Sequence, residues 1–520
     1  MHYSKLANKI GYFDDDGKLV HVSFEELYSC VKNVASKYNF EGAKRVGVCG
    51  KHSVAWLISS LVCIELGLEV VAVPENLTNE ELGINLDYLD IDLFFLSQEI
   101  SNKEYFQTKQ LIVYDDFVNL DNPSSGEVVR DAIEFKIIAF TSGSTTSSKL
   151  KSFEFNHCST RAFIKNFVQQ YKVESHDNWV VCHSFSHIVH FEYVLGALIF
   201  GYNLTITEPI KYLLSVSEIK GDILVTVPSV YQNLLRILYG KLPESGAKRE
   251  VIEALQNGAF DQEKLDLINN IRDYVYSDIK KYLGSFYKVM IIGAAPSSLE
   301  LKQKLLSLGL SVFEGYGMSE TNMISANTPG AYKFGSVGRV WKNIQIYLDD
   351  DQVVHVKTDP LRTNSYLSCD SYQPNDTFKD DGWVCTGDIG ELDEEGFLFI
   401  KGRVKDILVS SNGKNINSNL IEGKLNAIEG VGCGLVYGHG KPFVVALIAP
   451  ATSENIPTRS YVGEQILLIN KSLPFHERVN NFIILDVPLT IDNGMLTRSG
   501  KPKKSYVEEI YSCQINACYK

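Results

Sequence analysis

The stretch Ile137-Ile-Ala-Phe-Thr-Ser-Gly-Ser-Thr-Thr-Ser-Ser-Lys149 decides how the chain reads. Ile137 to Phe140 is a short apolar run, the pattern of a buried strand. It ends in hydroxyl residues broken only by Gly143 and closed by Lys149. Such a loop turns backbone N–H groups and hydroxyls toward an anion, with a lysine as point charge, which suits a polyphosphate. It is not a Walker A loop, because G-x-x-x-x-G-K-[ST] has no match. A polar surface linker has the same composition, so the stretch needs support from elsewhere.

Length and composition bound what surrounds it. A chain of 520 residues exceeds one ordinary core, so two or more domains are expected. With 45% hydrophobic and 22% charged residues it reads as soluble and globular. A net charge of -13 argues against a general nucleic-acid binder, which needs a basic face. The 10 cysteines form no C-x-x-C pair and read as free thiols in a reducing compartment. The N-terminus lacks an apolar signal segment, and the final Ala-Cys-Tyr-Lys is not a prenylation box. No apolar run reaches the ~18 residues of a membrane span. Ala55 to Val73 comes nearest, interrupted by Glu65 and Glu69. A cytoplasmic protein with no integral membrane segment and no nucleic-acid partner is expected.

Working outward, the flanks alternate strand and helix patterns. Ser23 and Glu26 have the spacing of a capping box. Arg45 to Cys49 reads as a strand, Ser53 to Leu68 as an apolar helix and Glu69 to Pro74 as a strand. That order implies parallel pairing in an α/β sheet. Gly126 to Arg130 lead into the loop strand. Asn178 to Cys182 is a strand before a turn with His183, His187 and His190. No acidic residue completes a zinc motif there, so packing or a substrate pocket is preferred to metal. Phe191 to Phe200 reads as a helix capped by Gly201, and Ile223 to Ser229 as a strand and Pro turn. Residues 229–285 read as mostly helical. Tyr287 to Glu300 is a strand, a glycine turn and a helix start at Pro296 and Ser297. Leu310 to Phe313 is a strand leading into Glu314-Gly-Tyr-Gly-Met-Ser-Glu-Thr321. Its two glycines allow a close ligand approach, Tyr316 is a stacking surface, Ser319 and Thr321 can donate to phosphate, and Glu320 can hold Mg²⁺. A β-turn with a core tyrosine fits the same letters.

Seen together, Thr141 to Lys149, Gly293-Ala-Ala-Pro296, Glu314 to Thr321, Gly335-Ser-Val-Gly-Arg339, Thr386-Gly-Asp-Ile-Gly390, Gly402-Arg-Val-Lys-Asp406 and Ser411-Asn-Gly-Lys-Asn-Ile416 occur in order. This ordered set resembles the adenylate-forming (AMP-binding) superfamily over nearly the whole chain. Val227-Pro-Ser-Val-Tyr231, Leu408 to Asn415 and Asp492 to Lys501 resemble its long-chain fatty acyl-CoA synthetase branch. The chain is shorter than many eukaryotic members, and their membrane anchor is not expected in it.

The resemblance implies an α/β fold. A large N-terminal AMP-binding domain, 1–404, would consist of α/β subdomains with mixed sheets. A small mobile α+β C-terminal domain, 405–520, would hinge at Lys405. It implies ATP, Mg²⁺ and either coenzyme A or the phosphopantetheine of a carrier protein as cofactors. By position, Thr141, Ser142, Gly143, Ser144, Thr145 and Lys149 would hold the β- and γ-phosphates. Tyr316 would stack on adenine, with Gly293, Ala294 and Ala295 along its edge and Gly317 beside it. Ser319 would meet the α-phosphate, Glu320 would bind Mg²⁺, and Asp388 with Arg403 would hold the ribose. Lys501 would be the catalytic lysine, with Lys503 and Lys504 as competitors. His187 and Gly315 belong to the acyl pocket, and Gly413 to the thiol tunnel.

One departure stands out. Relatives carry Gly and Pro in the loop where this chain has Thr146 and Ser148. A Cβ on a left-handed backbone costs ~1 kcal/mol or more, so a reshaped loop or slow ATP turnover is expected. The substrate is expected to be a small carboxylic acid. Ser186 stands where peptide-synthetase domains place an Asp for the α-amine, which favours an apolar acid. Glu192 leaves a small opening for an amine. A fatty acyl-CoA ligase is the leading reading. The alternatives are an acyl–acyl carrier protein ligase, a free-standing adenylation enzyme, a degenerate acyl- or nucleotide-binding relative and, remotely, a luciferase-like oxygenase.

Overall fold

Arg45–Cys49, the helix Val54–Glu65 and Glu69–Val73 form a strand–helix–strand unit, with Val46 opposite Val70 in parallel register. Parallel neighbours need a crossover, and the helix supplies it. Ser53 caps that helix by accepting from the Trp56 N–H, and Val54 to Ile64 are all buried. A helix apolar on every side belongs inside a layered domain, which is where this one lies. The computed structural model describes residues 8–114, 117, 134–141, 150–241, 279, 282–283, 287–295, 297–367, 377–496 and 502–520.

Among these residues the strands form five sheets. The first runs Leu111–Val113, Leu93–Leu96, Arg45–Cys49, Glu69–Val73, Lys136–Thr141 and Lys151–Asn156. Lys136–Thr141 lies parallel to Glu69–Val73 and antiparallel to Lys151–Asn156, with Thr141 opposite Lys151. Ile137, Ile138 and Ala139 are fully buried, as the apolar run requires.

The largest sheet has nine described strands. Its parallel centre is Asn203–Ile206, Asn178–Val181, Ile223–Thr226, Val289–Ile292 and the start of Val312–Met318. Phe167, Trp179, Tyr193 and Tyr202 pack ring to ring in the core beside it. The helix expected from Phe191 begins earlier, at Ile188, because Ile188 and His190 are already buried against the core. Gly201 closes it at φ 74°, the left-handed cap expected. The helix after Gly293 begins at Leu299 rather than at Pro296–Ser297, because the Ser298 hydroxyl accepts from the Leu301 N–H.

The strand Val312–Met318 runs straight through the motif expected to be a turn. It pairs parallel with Val289–Ile292 as far as Glu314, then antiparallel with Asn322–Ala326 from Gly315 onward. Only Ser319, Glu320 and Thr321 form the turn between Met318 and Asn322.

A four-stranded antiparallel sheet follows, with Val384–Leu392 between Val353–Thr358 and Leu398–Arg403. Beyond it lie a short Ile407–Val409/Asn415–Asn417 pair and a sheet of Val431–Tyr437, Val444–Pro450 and Val479–Ile484. The expected hairpin is present, with Tyr437 opposite Val445. The fold is a large mixed α/β N-terminal domain with several mixed sheets and a smaller C-terminal domain. No described helix is long and apolar enough to cross a membrane. Gly126 to Arg130, Pro296 and residues 242–278 of the helical stretch lie outside the described residues; its start is the helix Pro228–Lys241.

Candidate active site

The hairpin after Glu314 is the centre of the site. A Cβ on Gly317 would sit 2.2 Å from the Asn322 carbonyl oxygen. Glycine is therefore needed there by the hairpin itself, not only for ligand approach. A Cβ on Gly293 would lie 3.0 Å from the Gly315 carbonyl oxygen. The Gly293-Ala-Ala turn thus touches the start of the next motif. Ala294 has φ 63°, a left-handed conformation that costs an L-residue and marks a constrained turn.

Tyr316 is half-buried, and its hydroxyl donates to Asp388 Oδ2 at 2.6 Å. Burial, then the Asp388 carboxylate, pushes that hydroxyl well above its ordinary range, so it stays protonated. Arg403 Nε donates to Asp388 Oδ1 at 2.9 Å, from the residue directly opposite on the next strand. Asp388 is buried, whereas the Arg403 side chain is 64% exposed. Three sequence-identified residues therefore form one hydrogen-bonded cluster.

Glu320 is buried in the hairpin turn, and Tyr366 donates to its Oε1 at 2.6 Å. The preceding carbonyl, Ser319 O, accepts from Arg362 Nε at 2.8 Å. Arg362 also grips Glu192 with two bonds, of 2.7 and 3.0 Å. Thr160 and Asn322 each donate to Glu192 at 2.7 Å. Both Glu192 oxygens thus accept two bonds, which fills a carboxylate. The opening for an amine at Glu192 is closed. Sequence reading missed Tyr366 and Arg362. Nothing in the letters pairs residues 170 apart, and no spacing rule signals such a partner.

The Gly335-Ser-Val-Gly-Arg339 motif joins sheets. Val337 N–H donates to the Leu398 carbonyl at 2.8 Å, and Leu398 N–H returns a 2.9 Å bond to Gly338. A Cβ on Gly338 would overlap the Ala326 backbone, at 1.8 Å. This ties the strand of Arg403, which pairs with that of Asp388, to the segment after the Tyr316 hairpin.

Elsewhere, His187 is exposed just ahead of the helix Ile188–Phe200. His183 Nε2 lies 2.6 Å from the Thr226 hydroxyl, and its ring is 4.8 Å from that of His190. Burial lowers the His183 pKa to about 4 and that of His190 well below its usual value, so both are neutral. Lys405 is exposed in the short turn Val404–Asp406 after Arg403. Gly413 has φ 70° and lies in the turn between Ile407–Val409 and Asn415–Asn417, with open space where a Cβ would point. Lys504, one of the competing lysines, bonds Glu422 at 2.9 Å and Ser418 at 3.1 Å. Ser142, Gly143, Ser144, Thr145, Thr146, Ser148, Lys149 and Lys501 lie outside the described residues; Thr141 is the last described residue before the loop.

Comparison with known proteins gives the family and the fold. The model of the AMP-binding enzyme family matches residues 5–359, and that of the AMP-binding enzyme C-terminal domain matches residues 405–520. The long-chain-fatty-acid–CoA ligase FadD15 of Mycobacterium bovis is 28% identical over 346 residues, 60% of this chain and 57% of the ligase. The chain thus spans little more than half of that relative's length. The fold resembles that of o-succinylbenzoate CoA synthetase, MenE, from Bacillus subtilis. In complex with the acyl-adenylate intermediate OSB-AMP it gives a TM-score of 0.74 at 19% identity, covering 97% of this chain and 96% of that one. In complex with ATP and a magnesium ion it gives 0.72 at 19% identity, covering 96% of each. The chain belongs to the AMP-binding enzyme family, the adenylate-forming superfamily that its ordered motifs resemble.

Proposed function

We propose that the protein uses ATP to activate a carboxylic acid, a fatty acid by the branch its motifs resemble, and passes the acyl group to the thiol of coenzyme A. The observation that carries this reading is the Tyr316–Asp388–Arg403 cluster, with Glu320 on the hairpin that continues from Tyr316.

A carboxylate is a poor electrophile. In the first half-reaction its oxygen attacks the α-phosphorus of ATP, the bond to pyrophosphate breaks, and an acyl-adenylate forms. Anion meets anion, so cations and oriented dipoles must absorb the charge. Tyr316, fixed by its bond to Asp388, presents a flat face to adenine, with Gly293 to Ala295 at the ring edge. Each Asp388 oxygen holds one donor and keeps a second lone pair for a ribose hydroxyl. Ser319 supplies a hydroxyl to the α-phosphate. Tyr366 orients the Glu320 carboxyl through Oε1, and Glu320 would hold Mg²⁺ with its remaining acceptor capacity. Mg²⁺, when bound, spreads the phosphate charge. The loop 141–149 takes the β- and γ-phosphates, and Lys501 bridges the carboxylate and the α-phosphate.

In the second half-reaction the thiol sulfur attacks the acyl carbon and AMP leaves. The C-terminal domain, 405–520, swings about Lys405 to withdraw Lys501 and bring Gly413 to the pantetheine arm. The filled Glu192 and the uncharged Ser186 support an acid without an α-amine. Thr146 and Ser148 favour one competing reading, a binding-only relative.

The test is direct detection of acyl-AMP by mass spectrometry. Fatty, aryl and amino acids are each incubated with ATP and Mg²⁺, then with coenzyme A or an acyl carrier protein. Fatty acyl-AMP, and a thioester with coenzyme A, are expected. A thioester with the carrier alone replaces the acceptor. No adenylate from any acid overturns the reading in favour of the binding-only relative.

A further inference from the structure

Glu192 and Arg362 form a buried ion pair, with side chains 0% and 2% exposed. The contacts of this pair reach several elements. Thr160 comes from the helix His157–Tyr171, and Glu192 from Ile188–Phe200. Asn322 opens the strand after the Glu320 turn. Arg362 Nε holds the main-chain carbonyl of Ser319 inside that turn. The guanidinium also stacks over the Phe155 ring at 4.2 Å, and Phe155 lies on Lys151–Asn156, the strand that leaves the 141–149 loop. A single guanidinium thus touches both the turn carrying Ser319 and Glu320 and the strand following the phosphate loop. Apolar side chains would fill the same volume without desolvating two charges. What the ion pair adds is direction, because the guanidinium fork fixes the plane in which Nε meets the Ser319 carbonyl.

We infer that Glu192 and Arg362 are a positioning pair, which holds the Ser319–Glu320 turn in register with the strand leaving the phosphate loop and so sets how the site takes Mg²⁺–ATP. This rests on the reading of that turn as an Mg²⁺–ATP contact. Neither residue touches the nucleotide in this account. Their effect passes through the turn, as outer residues orient the ligands of a metal.

The experiment measures ATP binding to the full-length protein by calorimetry across a Mg²⁺ series, beside the thermal unfolding temperature. Wild type is compared with Glu320→Gln and with the double variant Glu192→Gln/Arg362→Met, which removes both buried charges together. Arg362→Lys is the second test, because it keeps the charge but loses the fork. Positioning predicts that the double variant and Arg362→Lys raise the Mg²⁺ needed for half-maximal binding by about ten-fold or more. ATP binding in EDTA should stay within about two-fold, and Glu320→Gln should shift the Mg²⁺ series in the same direction. A lowered unfolding temperature with an unmoved Mg²⁺ series overturns the positioning role alone. Wild type that binds no Mg²⁺–ATP overturns the functional reading and the inference with it.

Discussion

Two carboxylate–arginine pairs touch the same hairpin, one through Tyr316 and the other through Ser319 and Asn322, and they differ in one respect. Glu192–Arg362 is closed: both side chains are buried, and four donors fill the carboxylate. Asp388–Arg403 is open: the carboxylate is buried, but its arginine is 64% exposed and two donors leave acceptor capacity unused. A filled pair can only hold structure in place, whereas an open pair can take a ligand. The same two residue types therefore serve opposite ends.

The comparison breaks most visibly at the closed pair. Arg362→Ala leaves Glu192 charged and buried, and should destabilise the fold by about 3–5 kcal/mol in denaturant unfolding. A loss below ~1 kcal/mol would mean the pair is solvated in solution. At the open pair, Asp388→Asn should weaken AMP binding about 10–100-fold by calorimetry, the worth of charged hydrogen bonds, with little change in stability.

A half-buried histidine away from both pairs predicts an acid response. The His183 pKa falls from 6.5 to about 4 in the folded protein, with burial as the main cause. Between these values the unfolded chain binds the proton and the folded one does not. Stability should therefore fall as pH drops from 6.5 toward 4, by up to ~1.4 kcal/mol per pH unit for this group. His183→Gln should make that limb shallower in unfolding measured across pH, with the buried His190 keeping part of it. Smaller still, Tyr316→Phe removes one hydrogen bond to Asp388, worth ~1 kcal/mol, and should weaken AMP binding about five-fold.

The open pair was legible in the letters and the closed pair was not. Asp388, Arg403 and Tyr316 each lie in one of the short motifs whose order along the chain carries the family resemblance. Arg45 to Cys49 and the Ser23 cap were legible for a similar reason, since strand burial and capping are local rules. Glu192 reads only as an acid in an apolar helix, and Arg362 as a charge after a strand. Their pairing is tertiary, and no spacing rule reaches across 170 residues. Glu314 to Thr321 shows the middle case. The composition is that of a turn, yet the strand continues because two sheets supply partners in succession, one parallel and one antiparallel.

The central claim is that the open pair belongs to an adenylating site. Carboxylate-dependent exchange of labelled pyrophosphate into ATP tests it most directly, in wild type and in Asp388→Asn. The account predicts exchange that requires both a fatty acid and Mg²⁺ and that falls about 10–100-fold in the variant. Exchange unchanged in Asp388→Asn, or absent from wild type with every acid while the folded protein still binds ATP, would contradict it.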